Sequence, residues 1–185
     1  GSCEPDRGGV IPLDDARASV LAVTVPLVPE RVPVGAAAGL VLAEPVSSPD
    51  DVPPFANTAM DGYAVRAVDT AGASAALPRL LPVVAEVAAG HPADRALGPG
   101  EAMRIFTGAP MPDGADAVVM VERTERLDGG ATVAIHAEVP AGLHVRPAGD
   151  DLRAGDAVFA AGEARTPAHL GVLAGIGAVD VLVNL

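Results

Sequence analysis

Three short segments of this 185-residue chain carry side chains that could do chemistry. The first is Pro53-Pro54-Phe55-Ala56-Asn57-Thr58-Ala59-Met60-Asp61-Gly62-Tyr63-Ala64-Val65-Arg66, which holds the only Tyr and a single carboxylate beside small polar groups. Two prolines give it an extended entry, because Pro locks φ and turns the residue before it away from helix. Asp61-Gly62 then asks for a tight turn with positive φ, and residues 63–65 read as the strand that follows. Asp61 thus sits at a rigid corner with Asn57 and Thr58 close enough to hydrogen-bond. Such a corner serves either as a site on a stiff scaffold or as a purely structural turn.

The second segment is Arg104-Ile105-Phe106-Thr107-Gly108-Ala109-Pro110. It puts the Thr107 hydroxyl at the end of a strand, and Gly108 leaves room for a ligand to approach the backbone. Thr107 also reads as a side chain that merely caps the turn. The third is Val145-Arg146-Pro147-Ala148-Gly149-Asp150-Asp151-Leu152. One of its adjacent carboxylates can pair with Arg146 while the other faces solvent or a metal. Mg²⁺ suits such a place, since it takes only one or two protein carboxylates and keeps its waters. An Asp-rich surface turn is the alternative. The four His residues and Cys3 lack zinc-type spacing. No nucleophile elbow, phosphate loop or dinucleotide fingerprint is present.

The elements that must position these groups are short. Asp14-Asp15 followed by Ala16, Val20, Leu21, Val23 and Leu27 predicts a first helix, acidic in its opening turn and ended by Pro26 and Pro29. Strands are expected over 31–34, 41–46, 79–87, 102–106 and 117–121. Asp128-Gly129-Gly130 predicts a hairpin between 118–125 and 131–137. Further strands fall at 143–146, 157–160 and 179–183. Thr166-Pro167 opens a second helix, with Thr as cap and Pro at the first helical position. The cluster at 47–51 reads as a boundary. The chain ends directly after a strand, as at a break inside a longer protein.

Composition agrees with a β-rich chain. Pro 18 and Gly 21 suit many short strands, and with three Phe, one Tyr and no Trp the core must be Val, Ala and Leu. The net charge is −12, and all 12 cations are Arg. That acidity argues against nucleic acid and against an anionic membrane as partners. An anionic substrate would need local Arg residues or a recruited cation. A lone Cys excludes an intrachain disulfide, and no basic-then-apolar leader precedes the first helix, so a cytoplasmic location is expected.

Together the three segments resemble one family, the molybdopterin molybdenumtransferases, which include bacterial MoeA and the gephyrin E domain. The first is similar to that family's Pro-Phe-Asp-Asn-Ser-Ala-Met-Asp-Gly-Tyr-Ala. Residues 104–119 resemble its Ile-x-Thr-Gly-Ala-Pro-x-Pro-x-Gly-Ala-Asp-Ala-Val-Val, and 145–151 its Val-Arg-x-x-Gly-x-Asp. The resemblance covers about 13–183 and implies the N-terminal portion of the family's chain. An α+β, β-rich fold is implied: a mostly-β, barrel-like lobe at 49–139 inserted in a small α/β lobe made of 10–48 and 140–185. The family's pterin-binding Rossmann-like domain would begin beyond Leu185, with a C-terminal β domain after it. The activity implied is insertion of molybdate into adenylyl-molybdopterin with release of AMP, in molybdenum cofactor biosynthesis, by a homodimer that uses Mg²⁺ or another divalent cation. The molybdopterin adenylyltransferase is a candidate partner. The isolated portion is expected to be inactive. Matched to the family's motifs, Asp61, Thr107 and Asp151 are the implied catalytic residues, Asn57, Thr58 and Arg146 the implied substrate-binding ones, and Asp61 and Asp151 the implied metal ligands. Ala56 departs from the family's usual Asp, which puts any role for position 56 in doubt. A gephyrin-like role in dimerisation or scaffolding is the alternative.

Overall fold

The computed structural model describes residues 11–25 and 27–184. Cys3, Pro26 and Leu185 lie outside them. In chain order the elements are α1 (Leu13–Val23), β1 (Pro29–Pro33), β2 (Val41–Leu42), β3 (Val46–Ser47), β4 (Asn57–Thr58), β5 (Gly62–Val65), β6 (Arg79–Val87), β7 (Ala102–Ile105), β8 (Ala117–Met120), β9 (Thr124–Leu127), β10 (Thr132–Ile135), β11 (Val145–Arg146), β12 (Ala157–Phe159), α2 (Pro167–Gly175) and β13 (Asp180–Asn184). This is the expected β-rich α+β chain. It divides into two compact units: the described residues up to Pro45 with those from Phe159 onward, and Val46–Val158. Residues 140–158 therefore stand with the larger unit, whereas the expected boundary lay at 139.

In the smaller unit β13 is central, pairing antiparallel with β1 and β2. The cap expected for α2 is present. The His169 backbone N–H donates to Thr166 Oγ1 at 3.4 Å, and the Thr166 N–H donates to His169 Nδ1 at 3.3 Å. Just before it, Arg165 is buried, with its guanidinium 4.3 Å from the centre of the Phe159 ring and Nη2 on Glu163 Oε2 at 2.9 Å. Helix α1 carries Asp14 and Asp15 in its first turn, as expected, but buries no residue. Leu13, Val20, Leu21 and Val23 are exposed.

The larger unit is organised on a six-stranded sheet in the order β8-β5-β7-β6-β10-β9, curled as half a barrel. All its neighbours are antiparallel except β6 and β7. Both faces are covered, so β5 is buried at every position and reads as Gly-Tyr-Ala-Val without alternation. Tyr63, Val65, Ala102, Ala117, Val119, Val133 and Ile135 build the core on one face. Ala64, Met103, Ile105 and Val118 build that on the other.

Two features differ from expectation. Gly62 lies inside β5 and is not among the positive-φ glycines. Its requirement is space: a Cβ there would stand 2.1 Å from the Val119 carbonyl oxygen of β8. The second is a bulge between Val83 and Ala85 in β6. Leu81 and Val83 pack on the Tyr63 face, whereas Ala85 and Val87 pack on the other. One extra residue thus reverses the side-chain phase of the strand and brings Glu86 opposite Arg104.

Candidate functional site

The three sequence segments meet in the larger unit through two very short strands. β4 pairs antiparallel with β11, so Asn57 stands opposite Arg146 and Thr58 opposite Val145. Asn57 also bridges to Pro110. The Thr58 N–H donates to the Ala109 carbonyl at 3.1 Å, and the Gly108 N–H returns to the Thr58 carbonyl at 2.9 Å. The Gly149 and Asp151 N–H groups donate to the Pro53 and Val52 carbonyls, each at 2.9 Å. Residues that are distant in sequence are thereby tied backbone to backbone, and their side chains are left to project.

Asp61 precedes β5 and Thr107 follows β7, two strands that are neighbours in the sheet. Both the backbone N–H and the hydroxyl of Thr107 donate to Asp61 Oδ1, each at 2.7 Å. Gly108 turns the chain away with φ of 81°, a left-handed value that favours glycine. The two Thr107 donors, the backbone one first, hold the Asp61 carboxyl below its ordinary value, and the charge of Arg104 adds to this. Asp61 and Thr107 are both exposed.

Arg146 makes the second cluster. Its Nε lies 3.2 Å from Asp150 Oδ2, and its Nη2 pairs with Asp151 Oδ2. These carboxylates, Asp151 foremost, raise the Arg146 guanidinium above its ordinary value. The structure thus pairs Arg146 with both acids, where the sequence predicts one pair and one free carboxylate.

Other expectations change as well. Thr58 is buried, and its hydroxyl donates to the Met60 carbonyl at 2.8 Å and accepts from the Met60 N–H at 3.1 Å. Its side chain shapes the turn before Asp61 and is not offered to a ligand. The Thr107 hydroxyl, an implied catalytic group, is already given to Asp61. Among the described residues no three His, Cys, Asp or Glu side chains gather where they could hold a metal. Asp61 Oδ1 is taken by Thr107, and Asp151 is neutralised by Arg146. These carboxylates do not form a cation site by themselves. Arg104, which acts on Asp61, was not singled out from sequence. Its signal was a cation facing Tyr63 across β5 and β7.

Fold and site together define a β-rich, two-unit chain that gathers polar side chains of three distant segments on the larger unit. Residues 11–177 match the family described as the MoeA N-terminal region (domain I and II). The chain belongs to this family. It is 46% identical over 156 residues to molybdopterin molybdenumtransferase 2 of Mycobacterium tuberculosis, covering 84% of this chain and 38% of that protein. It is 39% identical over 154 residues to the molybdopterin molybdenumtransferase of Synechococcus elongatus, covering 83% and 38%. Among solved structures, a molybdopterin biosynthesis MoeA protein of Pyrococcus horikoshii superposes with a TM-score of 0.86 at 38% identity, covering 95% of this chain and 44% of the other. The chain thus spans about two fifths of the length of these relatives.

Proposed function

We propose that this chain is the N-terminal part of a molybdopterin molybdenumtransferase, acting in molybdenum cofactor biosynthesis to insert molybdate into adenylyl-molybdopterin with release of AMP. The carrying observation is the Asp61–Thr107 pair, an exposed carboxylate fixed by two donors on one oxygen. A carboxylate held below its ordinary value is a weak base, so Asp61 serves as a fixed negative acceptor, not as the group that removes a proton. Its second oxygen can orient a protonated oxygen of the substrate or a water. Arg146, held by Asp150 and Asp151, offers N–H donors for a substrate oxygen only where the substrate displaces one of these carboxylates. Asn57, beside Arg146 on β4, can hydrogen-bond the same ligand. No step is assigned to Mg²⁺, because the carboxylates here do not fit it.

The pterin pocket belongs to the remaining length of the relatives, and the working form is a homodimer in which this rim faces that pocket. Its location is cytoplasmic. No helix among the described residues is long and apolar enough to cross a membrane. The matched relatives are named as transferases, which favours catalysis over a scaffolding role.

The test is a chimera in which this chain replaces the matching part of the Mycobacterium tuberculosis relative, assayed for metal insertion. Asp61→Asn should lower turnover by about tenfold or more, the usual cost of losing one preorganised electrostatic contact. Turnover within about twofold of the unsubstituted chimera would remove Asp61 from the mechanism.

A further inference from the structure

A cavity of about 190 Å³ opens on the six-stranded sheet, and it is lined by Tyr63, Val84, Glu86, Arg104 and Arg126 among others. The bulge in β6 supplies Val84 and aims Glu86 to this side. Bulges recur where a strand must re-aim its side chains.

The charge in this cavity is unbalanced. The chain has twice as many acids as cations, and Arg31, Arg66, Arg95, Arg146 and Arg165 each pair with a carboxylate. Arg104 and Arg126 do not, among the described residues, and nor do Arg17, Arg79, Arg123 and Arg153, but only Arg104 and Arg126 line this cavity. The Arg104 guanidinium is fixed by aromatic rings instead, 5.2 Å from the centre of Tyr63 and 5.4 Å from that of Phe106. Its Nη1 donates to the Tyr63 hydroxyl at 3.2 Å. Arg126 has only a 3.5 Å contact from Nη2 to the Gly129 carbonyl. Tyr63 is 1% exposed, and its own hydroxyl proton has no acceptor among the described residues. Two guanidiniums and the single carboxylate of Glu86 thus line a hollow in a strongly acidic molecule.

We propose that this cavity binds a tetrahedral oxyanion through the guanidiniums of Arg104 and Arg126 and the hydroxyl of Tyr63. Guanidinium forks suit such oxygens, because two parallel N–H groups meet two oxygens at once. The anion is either free, as inorganic phosphate is, or the phosphoryl end of a larger ester. Arg104 also acts on the Asp61 carboxyl, so the two places share this cation, but the binding proposed here does not depend on the role given to Asp61.

The chain carries its own reporter, since Tyr63 is the only Tyr and there is no Trp. Tyrosine emission therefore reads this cavity alone. The 185-residue chain is titrated with inorganic phosphate and, in parallel, with ribose 5-phosphate, ionic strength being held constant with chloride. A saturable change in emission is expected. Arg126→Gln, an exposed substitution on edge strand β9, should weaken it about tenfold or more while the thermal midpoint stays unchanged. Tighter saturation by ribose 5-phosphate assigns the site to an ester, and equal or weaker saturation assigns it to the free anion. A linear response to both anions, or the same midpoint in Arg126→Gln, overturns the proposal.

Discussion

Asp61 shows how much a single residue's role depends on what the fold brings to it. Asp61 and Thr107 were each legible as polar groups at strand ends, but their pairing was not. They are 46 residues apart, and only the β5–β7 register joins them. Thr58 failed in the opposite way, because burial consumes its hydroxyl and no local signal announces burial. The pairing has an acid-side consequence. The folded-state carboxyl of Asp61 titrates below its unfolded value, so its contribution to stability is complete above the ordinary carboxylate range near pH 4 and is lost as pH falls through the lowered value. Thr107→Val removes one donor and keeps the backbone one. The Asp61 carboxyl should then move up toward its ordinary value without reaching it. A ¹³C-carboxyl NMR titration of the two forms reads this directly, and an unmoved value would mean the hydroxyl contributes nothing.

Elements were legible in proportion to their length. β6 and the capped start of α2 follow their sequence signals, since nine alternating or apolar residues and a Thr-Pro pair are strong cues. β4 and β11 have two residues each, too few to show any period, yet they tie the three segments together. The β6 bulge was also hidden, because the phase reversal appears only once both faces are known. α1 formed where its pattern predicted, but its apolar side remains uncovered. Gly62 carries the clearest element-level prediction. Its missing side chain sets how closely β5 approaches β8, so Gly62→Ala must push against the Val119 carbonyl. The cost should be about 1–3 kcal/mol, the range for forcing extra atoms into a tight core. Chemical denaturation of the two forms checks it, and an unchanged midpoint would show that the sheet yields freely.

At the scale of the whole molecule, composition and the turn residues pointed correctly to a β-rich chain, while the division into lobes came from the family resemblance and its border at 139 differs from the division at Val158. The expected place of residues 140–158 in the smaller lobe rests on the family resemblance alone, not on any local signal. Hydrogen bonds decide otherwise. The Val118 N–H of β8 donates to the Leu143 carbonyl at 3.0 Å, and the Gly142 N–H donates to the Asp116 carbonyl at 2.7 Å. A fragment of residues 49–139 should therefore be far less soluble than one of 46–158 when both are expressed alone. Light scattering at equal concentration tests this, and equal monodispersity would refute it. The Leu143 hydrogen bond thus acts as a guard. β8 ends the sheet as Ala-Val-Val-Met, an uncharged edge of amide groups. Stripped of its neighbour, it would offer every other copy a ready seam for stacking, so this hydrogen bond helps block edge-to-edge aggregation.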